Sequence, residues 1–63
     1  MKLGRALNAS FDGLTVISNT GKRYTPEHLQ VKKLGSHASI CNQSGMTESE
    51  RKGEWNVLGL RNY

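Results

Sequence analysis

Two histidines and one cysteine are the residues of this sequence that could bind a metal ion or form a catalytic pair. His28, His37 and Cys41 lie in the middle of the chain. A structural zinc site needs four ligands, commonly in paired short spacings, and no fourth ligand is evident. A cysteine nucleophile with a histidine base also needs an orienting group and donors for an oxyanion. The seven glycines follow neither the dinucleotide-binding nor the phosphate-loop spacing. We therefore predict no metal, no cofactor and no enzymatic activity.

The run Lys22-Arg23-Tyr24 offers a different chemistry, because two cations can contact phosphates while an aromatic ring stacks on a base or packs on a sugar. Nine Lys and Arg against five Asp and Glu give a formal charge of +4, which attracts phosphate backbones and acidic proteins. In the alternative interpretation the turn is merely solvated and Tyr24 packs into the core. The predicted nucleic-acid-binding residues are Lys22, Arg23, Tyr24, Lys32, Lys33, Arg51 and Lys52.

The elements that would position this cluster begin with a predicted hairpin. Asp12-Gly13 lies between short apolar runs, and Asp-Gly is a strong signal for a type I′ turn. Residues 7 to 18 then form two strands, with β-branched residues after the turn. The competing interpretation is a helix over residues 3 to 12, because Leu3, Ala6 and Leu7 follow helical spacing.

A second reversal is predicted at Asn19, Thr20 and Gly21, a polar group that ends in a glycine able to adopt positive φ. Residues 22 to 25 would return as a short third strand. The result is a meander whose tip is basic.

Helix signals follow directly after this strand. Thr25 suits an N-cap, Pro26 the first helical position and Gly35 a left-handed stop, so we predict a helix from residue 26 to 34. Leu29, however, lies nearly opposite Val31 on a helical wheel. In the alternative, residues 29 to 34 are a strand and the protein is a small all-β, barrel-like domain.

The second half of the chain predicts one more helix and one strand. Thr47 and Glu50 have the spacing of a capping box, which opens a helix at residues 48 to 52. The tail from residue 54 has the pattern of a buried strand. We therefore predict a single α+β domain over residues 1 to 63, with an N-terminal hairpin or meander, one or two short helices and a C-terminal strand.

Two stretches resemble winged helix-turn-helix DNA-binding proteins of the excisionase or MerR-like kind. TGKRYTPEHL is similar to their wing and the following helix, and ASICNQSGMTESE to a helix-turn-helix with Gly45 at the turn. Ser44, Arg51 and Glu54 stand where the family pattern has apolar residues. The resemblance implies a DNA-binding regulatory protein.

Taken together, these observations predict a small regulatory protein that binds nucleic acid, with DNA favoured over RNA. The alternative is a protein-interaction module, such as a phage or mobile-element inhibitor that binds an acidic host protein. We expect a cytoplasmic protein with no membrane span, and a homodimer is compatible with so small a core. The predicted interface residues of the alternative are Trp55, Leu58, Leu60 and Tyr63.

Overall fold

A computed structural model describes residues 1–58 of the chain as helices packed on a small sheet. The sheet is antiparallel with strand order β2-β1-β3. This architecture confirms the predicted α+β class, and the all-β alternative is wrong. The elements are α1 Leu3–Phe11, β1 Val16–Ile17, β2 Arg23–Tyr24, α2 Pro26–Leu29, α3 Val31–Leu34, α4 His37–Gln43, α5 Glu48–Lys52 and β3 Asn56–Val57.

The first element is a helix, so the predicted strand before Asp12 is wrong and the competing helical interpretation is correct. Helix α1 buries Ala6, Leu7 and Ala9 on one side. Gly13 follows it with φ 90°, and the Leu14 N–H donates to the Ala9 carbonyl at 3.1 Å. This is a Schellman-type helix end. Asp-Gly misled the prediction because a hairpin turn and a helix stop both need a residue that accepts positive φ.

The second predicted reversal is confirmed. Strands β1 and β2 pair with Val16 opposite Tyr24, and the Ser18 N–H donates to the Lys22 carbonyl at 2.9 Å. Gly21 has φ 85° in the connecting loop. The predicted C-terminal strand is present as β3, whose Val57 pairs with Val16. Its predicted burial is wrong, because Asn56 is exposed and Val57 is half-buried, and residues 59–63 of the predicted strand lie outside the described residues.

The predicted helix over residues 26 to 34 is present but broken at Gln30. The Thr25 hydroxyl caps α2 by accepting the His28 N–H at 3.0 Å, and Gly35 ends α3 with φ 71°. Gln30 has φ 54°, in the left-handed region. The break rotates α3 relative to α2, and both Leu29 and Val31 are buried. This arrangement resolves the poor helical-wheel pattern, and the strand alternative for these residues is wrong.

Helices α4 and α5 are joined by a short turn in which Gly45 has φ 73°. The predicted capping box is confirmed: the Thr47 hydroxyl accepts the Glu50 N–H at 3.1 Å, and Glu50 Oε1 accepts the Thr47 N–H at 3.0 Å. These reciprocal bonds satisfy donors that would otherwise be unpaired at the start of the helix. They also fix the position of the Glu50 carboxylate.

A single core lies between the sheet and the helices of the described residues. Nearly every element contributes to it, since fully buried side chains come from α1, β1, β2, α2, α4 and the segment before β3. The largest of them are Trp55, Tyr24, Leu7, Leu29, Ile40 and Val16. No helix within residues 1–58 is long and apolar enough to cross a membrane.

Candidate nucleic-acid interface

The ring of Tyr24 belongs to the core. Its exposed fraction is 0%, and its centroid lies 5.6 Å from that of Trp55 and 5.4 Å from that of His28. A base cannot stack on a ring that is covered in this way, so the prediction of Tyr24 as a nucleic-acid contact is wrong. The alternative interpretation of Tyr24 as a core residue is correct.

Lys22 covers part of that ring from outside. Its ammonium nitrogen lies 5.0 Å from the Tyr24 centroid, within the range of a cation–π contact. Lys22 and Tyr24 project from one face of the hairpin, because they are two residues apart in an extended chain. Arg23 projects from the opposite face and is exposed. The two predicted phosphate-binding cations therefore lie on either side of the sheet's edge strand.

The Glu50 carboxylate holds the hairpin against α5. It accepts hydrogen bonds from the Tyr24 hydroxyl at 3.0 and 3.1 Å and from the Thr20 hydroxyl at 3.1 Å. Asn19 adds a weaker contact, with its Nδ2 donating to the Ser49 carbonyl at 3.4 Å. The loop that precedes Lys22 is thereby fixed by side chains that are far away in sequence.

The environment of Glu50 strongly favours its charged form. Burial raises the pKa of this carboxyl, but hydrogen bonds from the Thr47 backbone and from the hydroxyls of Ser18, Tyr24 and Thr20 outweigh burial and lower the pKa to about 2. Glu50 is only 3% exposed, and its charge is satisfied by neutral donors. No cation among residues 1–58 forms an ion pair with Glu50.

The other predicted cations of this region lie on α3. Lys32 and Lys33 are exposed and line a shallow groove beside α2. Helix α2 links this groove to the hairpin, because its His28 contacts Tyr24 while its Pro26 and Glu27 line the groove. We name these residues the basic strip; it consists of Lys22, Arg23, His28, Lys32 and Lys33, which lie on consecutive elements, with Lys22 and Arg23 on opposite faces of the edge strand.

The four Lys and Arg residues of the basic strip form no ion pair with any other residue in the described range 1–58. Charged groups on a protein surface are often partly neutralised by neighbours of opposite sign. Here the ammonium and guanidinium groups keep their donors available for an external anion.

Arg51 and Lys52, the remaining predicted contacts, have intramolecular partners instead. Arg51 Nη2 donates to the Cys41 carbonyl at 3.0 Å, near the end of α4. Lys52 Nζ lies 2.9 Å from Glu48 Oε1, one turn earlier in α5. Both side chains are exposed, but each already satisfies part of its hydrogen-bonding capacity. Lys52 is therefore ion-paired, whereas Arg51 has a hydrogen-bond partner but no ion pair among residues 1–58.

The predicted anchor of a protein interface is buried. Trp55 has an exposed fraction of 0%, and its indole Nε1 donates to the Glu50 carbonyl at 2.8 Å. A fully buried indole cannot insert into a partner, so the prediction of Trp55 as an interface residue is wrong. Leu58 is exposed, whereas Leu60 and Tyr63 lie outside the described residues.

The histidines and the cysteine do not converge. Among residues 1–58, no three His, Cys, Asp or Glu side chains form a group that could hold a metal ion. His28 packs against Tyr24, whereas His37 stacks on Phe11 with ring centroids 5.8 Å apart. His28 and His37 are therefore packing residues, and they lie on two separate surfaces.

Sequence reasoning missed two residues of this region. The sequence suggests His28 only as a metal ligand or a catalytic base, although its ring connects α2 to the hairpin. Gln30 was treated as an ordinary helical position, although it adopts the left-handed conformation. The signal for Gln30 was present in the poor match of Leu29 and Val31 to one helical face.

Comparisons with models of protein families, with curated proteins and with solved structures find no match to this chain. The resemblance to winged helix-turn-helix proteins therefore stays a prediction.

Proposed function

We propose that this chain is a small, non-enzymatic regulatory protein that binds nucleic acid through the basic strip. The observation that carries the proposal is the absence of carboxylate partners for Lys22, Arg23, Lys32 and Lys33 within residues 1–58. Four unpaired cations on connected elements provide binding sites for phosphates, and the release of counterions from the nucleic acid would drive association. DNA is the expected form because of the resemblance at the sequence level.

The order of the hairpin supports this role. A flexible lysine loses side-chain freedom when it binds, and a fixed backbone reduces the additional cost of ordering the loop. The contacts of Thr20 and Tyr24 with Glu50 hold the backbone on both sides of Lys22. The backbone of the hairpin tip is therefore already ordered in the free protein.

The alternative partner is an acidic protein, because the same cations would attract clustered carboxylates. Among the residues described, the exposed large apolar side chains are Phe11 and Leu58. Within residues 1–58 Trp55 is buried and Phe11, the exposed aromatic residue, is stacked on His37, so neither offers the freely exposed aromatic anchor found at many interfaces. Nucleic acid is therefore the better-supported partner.

The test is a titration of labelled duplex DNA, single-stranded DNA and RNA, followed by fluorescence anisotropy at several salt concentrations. If four phosphates are neutralised, log affinity falls against log salt with a slope near −3.6 on duplex and near −2.8 on single strands. Lys22→Glu should weaken binding and make the slope shallower by about one. No micromolar binding at low salt would overturn the proposal.

Lys52→Glu is the matched control. It changes the net charge by the same amount as Lys22→Glu, but its site lies outside the basic strip and already has a partner in Glu48. We expect Lys52→Glu to reduce the affinity less than Lys22→Glu does. Equal losses would show that net charge alone drives association and that the basic strip is not the contact surface.

A further inference from the structure

The groove between α2 and α3 has the size of a site for one small flat group. Its volume is about 250 Å³. Pockets for drug-sized ligands are about 300–1,000 Å³, so this groove suits only a fragment such as a single nucleobase. We name it the α2–α3 groove; it is lined by Pro26, Glu27, Gln30, Val31, Lys32 and Lys33.

The lining combines an apolar wall with groups that recognise polar edges. Pro26 provides carbon surface beside the small exposed edge of Val31, and the Glu27 carboxylate is an acceptor for an exocyclic amino group. Lys32 and Lys33 stand at the same groove without a carboxylate partner among residues 1–58. These two cations are complementary to the phosphates that flank a base in a polynucleotide.

Gln30 is the unusual residue of this groove. Its φ of 54° is uncommon for a residue with a side chain and strains the backbone. Glycine would adopt the same conformation without this strain. The Gln30 side-chain amide makes no hydrogen bond with the other described residues. Gln30 thus lines the groove with a side-chain donor and acceptor that no other described residue uses.

We infer that the α2–α3 groove binds one unstacked base of a single-stranded nucleic acid, with the Gln30 amide on the base edge and Lys32 and Lys33 on the adjoining phosphates. This inference rests on the proposed nucleic-acid function and specifies the form that is bound. An amide donor and acceptor match the N6 and N7 edge of adenine, and Glu27 accepts from an exocyclic amine. Thymine has no such amine, so adenine is preferred over thymine.

A duplex is the poorer occupant of this groove. Its bases are stacked and paired, and placing one in a pocket requires that base to be unstacked and unpaired, which costs free energy. In a single strand much of this cost is absent. The duplex should therefore reach the lysines through its phosphates but leave the groove empty.

The experiment compares short labelled oligothymidylates that carry thymine, adenine or an abasic residue at the centre. For the wild-type protein we expect the central adenine to bind about tenfold more tightly than either of the others. Gln30→Gly should remove this preference, keep the salt slope and leave the thermal midpoint unchanged or higher, because glycine relieves the left-handed strain. Gln43→Ala, on the exposed end of α4, serves as the control and should keep the preference.

The outcomes separate the two proposals. Salt-dependent binding with equal affinity for adenine, thymine and the abasic strand would overturn the base site and leave the proposed function standing. The same holds if Gln30→Gly retains the preference for adenine. A complete absence of salt-dependent binding to any strand or duplex would overturn both the proposed function and the base site.

Discussion

The Tyr24 hydroxyl donates to the Glu50 carboxylate, with its oxygen 3.0 Å from Oε1 and 3.1 Å from Oε2. This contact joins β2 to α5 inside the core. The same carboxylate completes the capping box with Thr47, so one side chain starts a helix and fastens the hairpin to it. Local helix formation and the position of the basic hairpin are therefore coupled through Glu50.

Replacing Glu50 with Gln should destabilise the protein strongly. A carboxyl whose pKa falls from 4.5 to about 2 on folding contributes about 3 kcal/mol at neutral pH. A chain of this length has only about 3 to 9 kcal/mol of total stability. Urea denaturation at pH 7 should show a loss of about 1–3 kcal/mol, because glutamine keeps the shape but accepts fewer hydrogen bonds. Glu48→Gln, on the surface of α5, is the control and should change stability by less than about 1 kcal/mol.

The Glu50 carboxyl also determines the direction in which the stability of the protein changes at acid pH. Because the folded pKa lies below the unfolded value, the stabilisation is present above about pH 4.5 and is lost as pH falls toward 2. The urea midpoint of the wild type should decline through this window. The decline should be smaller for Glu50→Gln, and equal declines in the two proteins would contradict a stabilising role for the Glu50 charge.

The phenol of Tyr24 should ionise at a higher pH than an ordinary tyrosine. Burial, the hydrogen bond to Glu50 and the negative charge of Glu50 raise the pKa of Tyr24 from 10.0 to about 12. Absorbance at alkaline pH should show one phenol that ionises near this value, and Tyr24→Phe should remove it. The raised pKa means that the stabilisation is present below about pH 10 and is lost as pH rises toward 12. A titration in which Tyr24→Phe removes only a component near pH 10 would contradict this environment.

The sequence predicted those elements whose signals involve only neighbouring residues and are typical of a single kind of structure. The Thr47 capping box, the Thr25 cap with Pro26 and the reversal at Gly21 each involve few neighbouring residues, and all three are present. The Asp12-Gly13 signal failed because two different structures use the same backbone conformation. Only the packing of Leu7 and Ala9 against the rest of the core selects the helix.

The candidate site was harder to predict, because its outcome depends on contacts distant in sequence. Burial of Tyr24 requires Trp55 and Glu50, which no local pattern links to the hairpin. The loss of Arg51 as a free cation likewise depends on the Cys41 carbonyl. Sequence alone therefore located the basic residues but could not show which of them form ion pairs or hydrogen bonds within the protein.

Trp55 provides a direct optical test of the buried core, since the chain has only one tryptophan. Its emission should be blue-shifted and poorly quenched by iodide, and both properties should stay unchanged when DNA is added, because no described part of the ring is accessible.

Trp55→Phe removes the donor to the Glu50 carbonyl and leaves that acceptor unsatisfied, so we expect a loss of about 1–3 kcal/mol in urea denaturation. Under conditions where this variant is folded, its affinity for nucleic acid should match that of the wild type, since Trp55 lies beneath Tyr24 rather than on the basic strip. Red-shifted emission with efficient iodide quenching would instead return Trp55 to the surface and favour a protein partner that binds it.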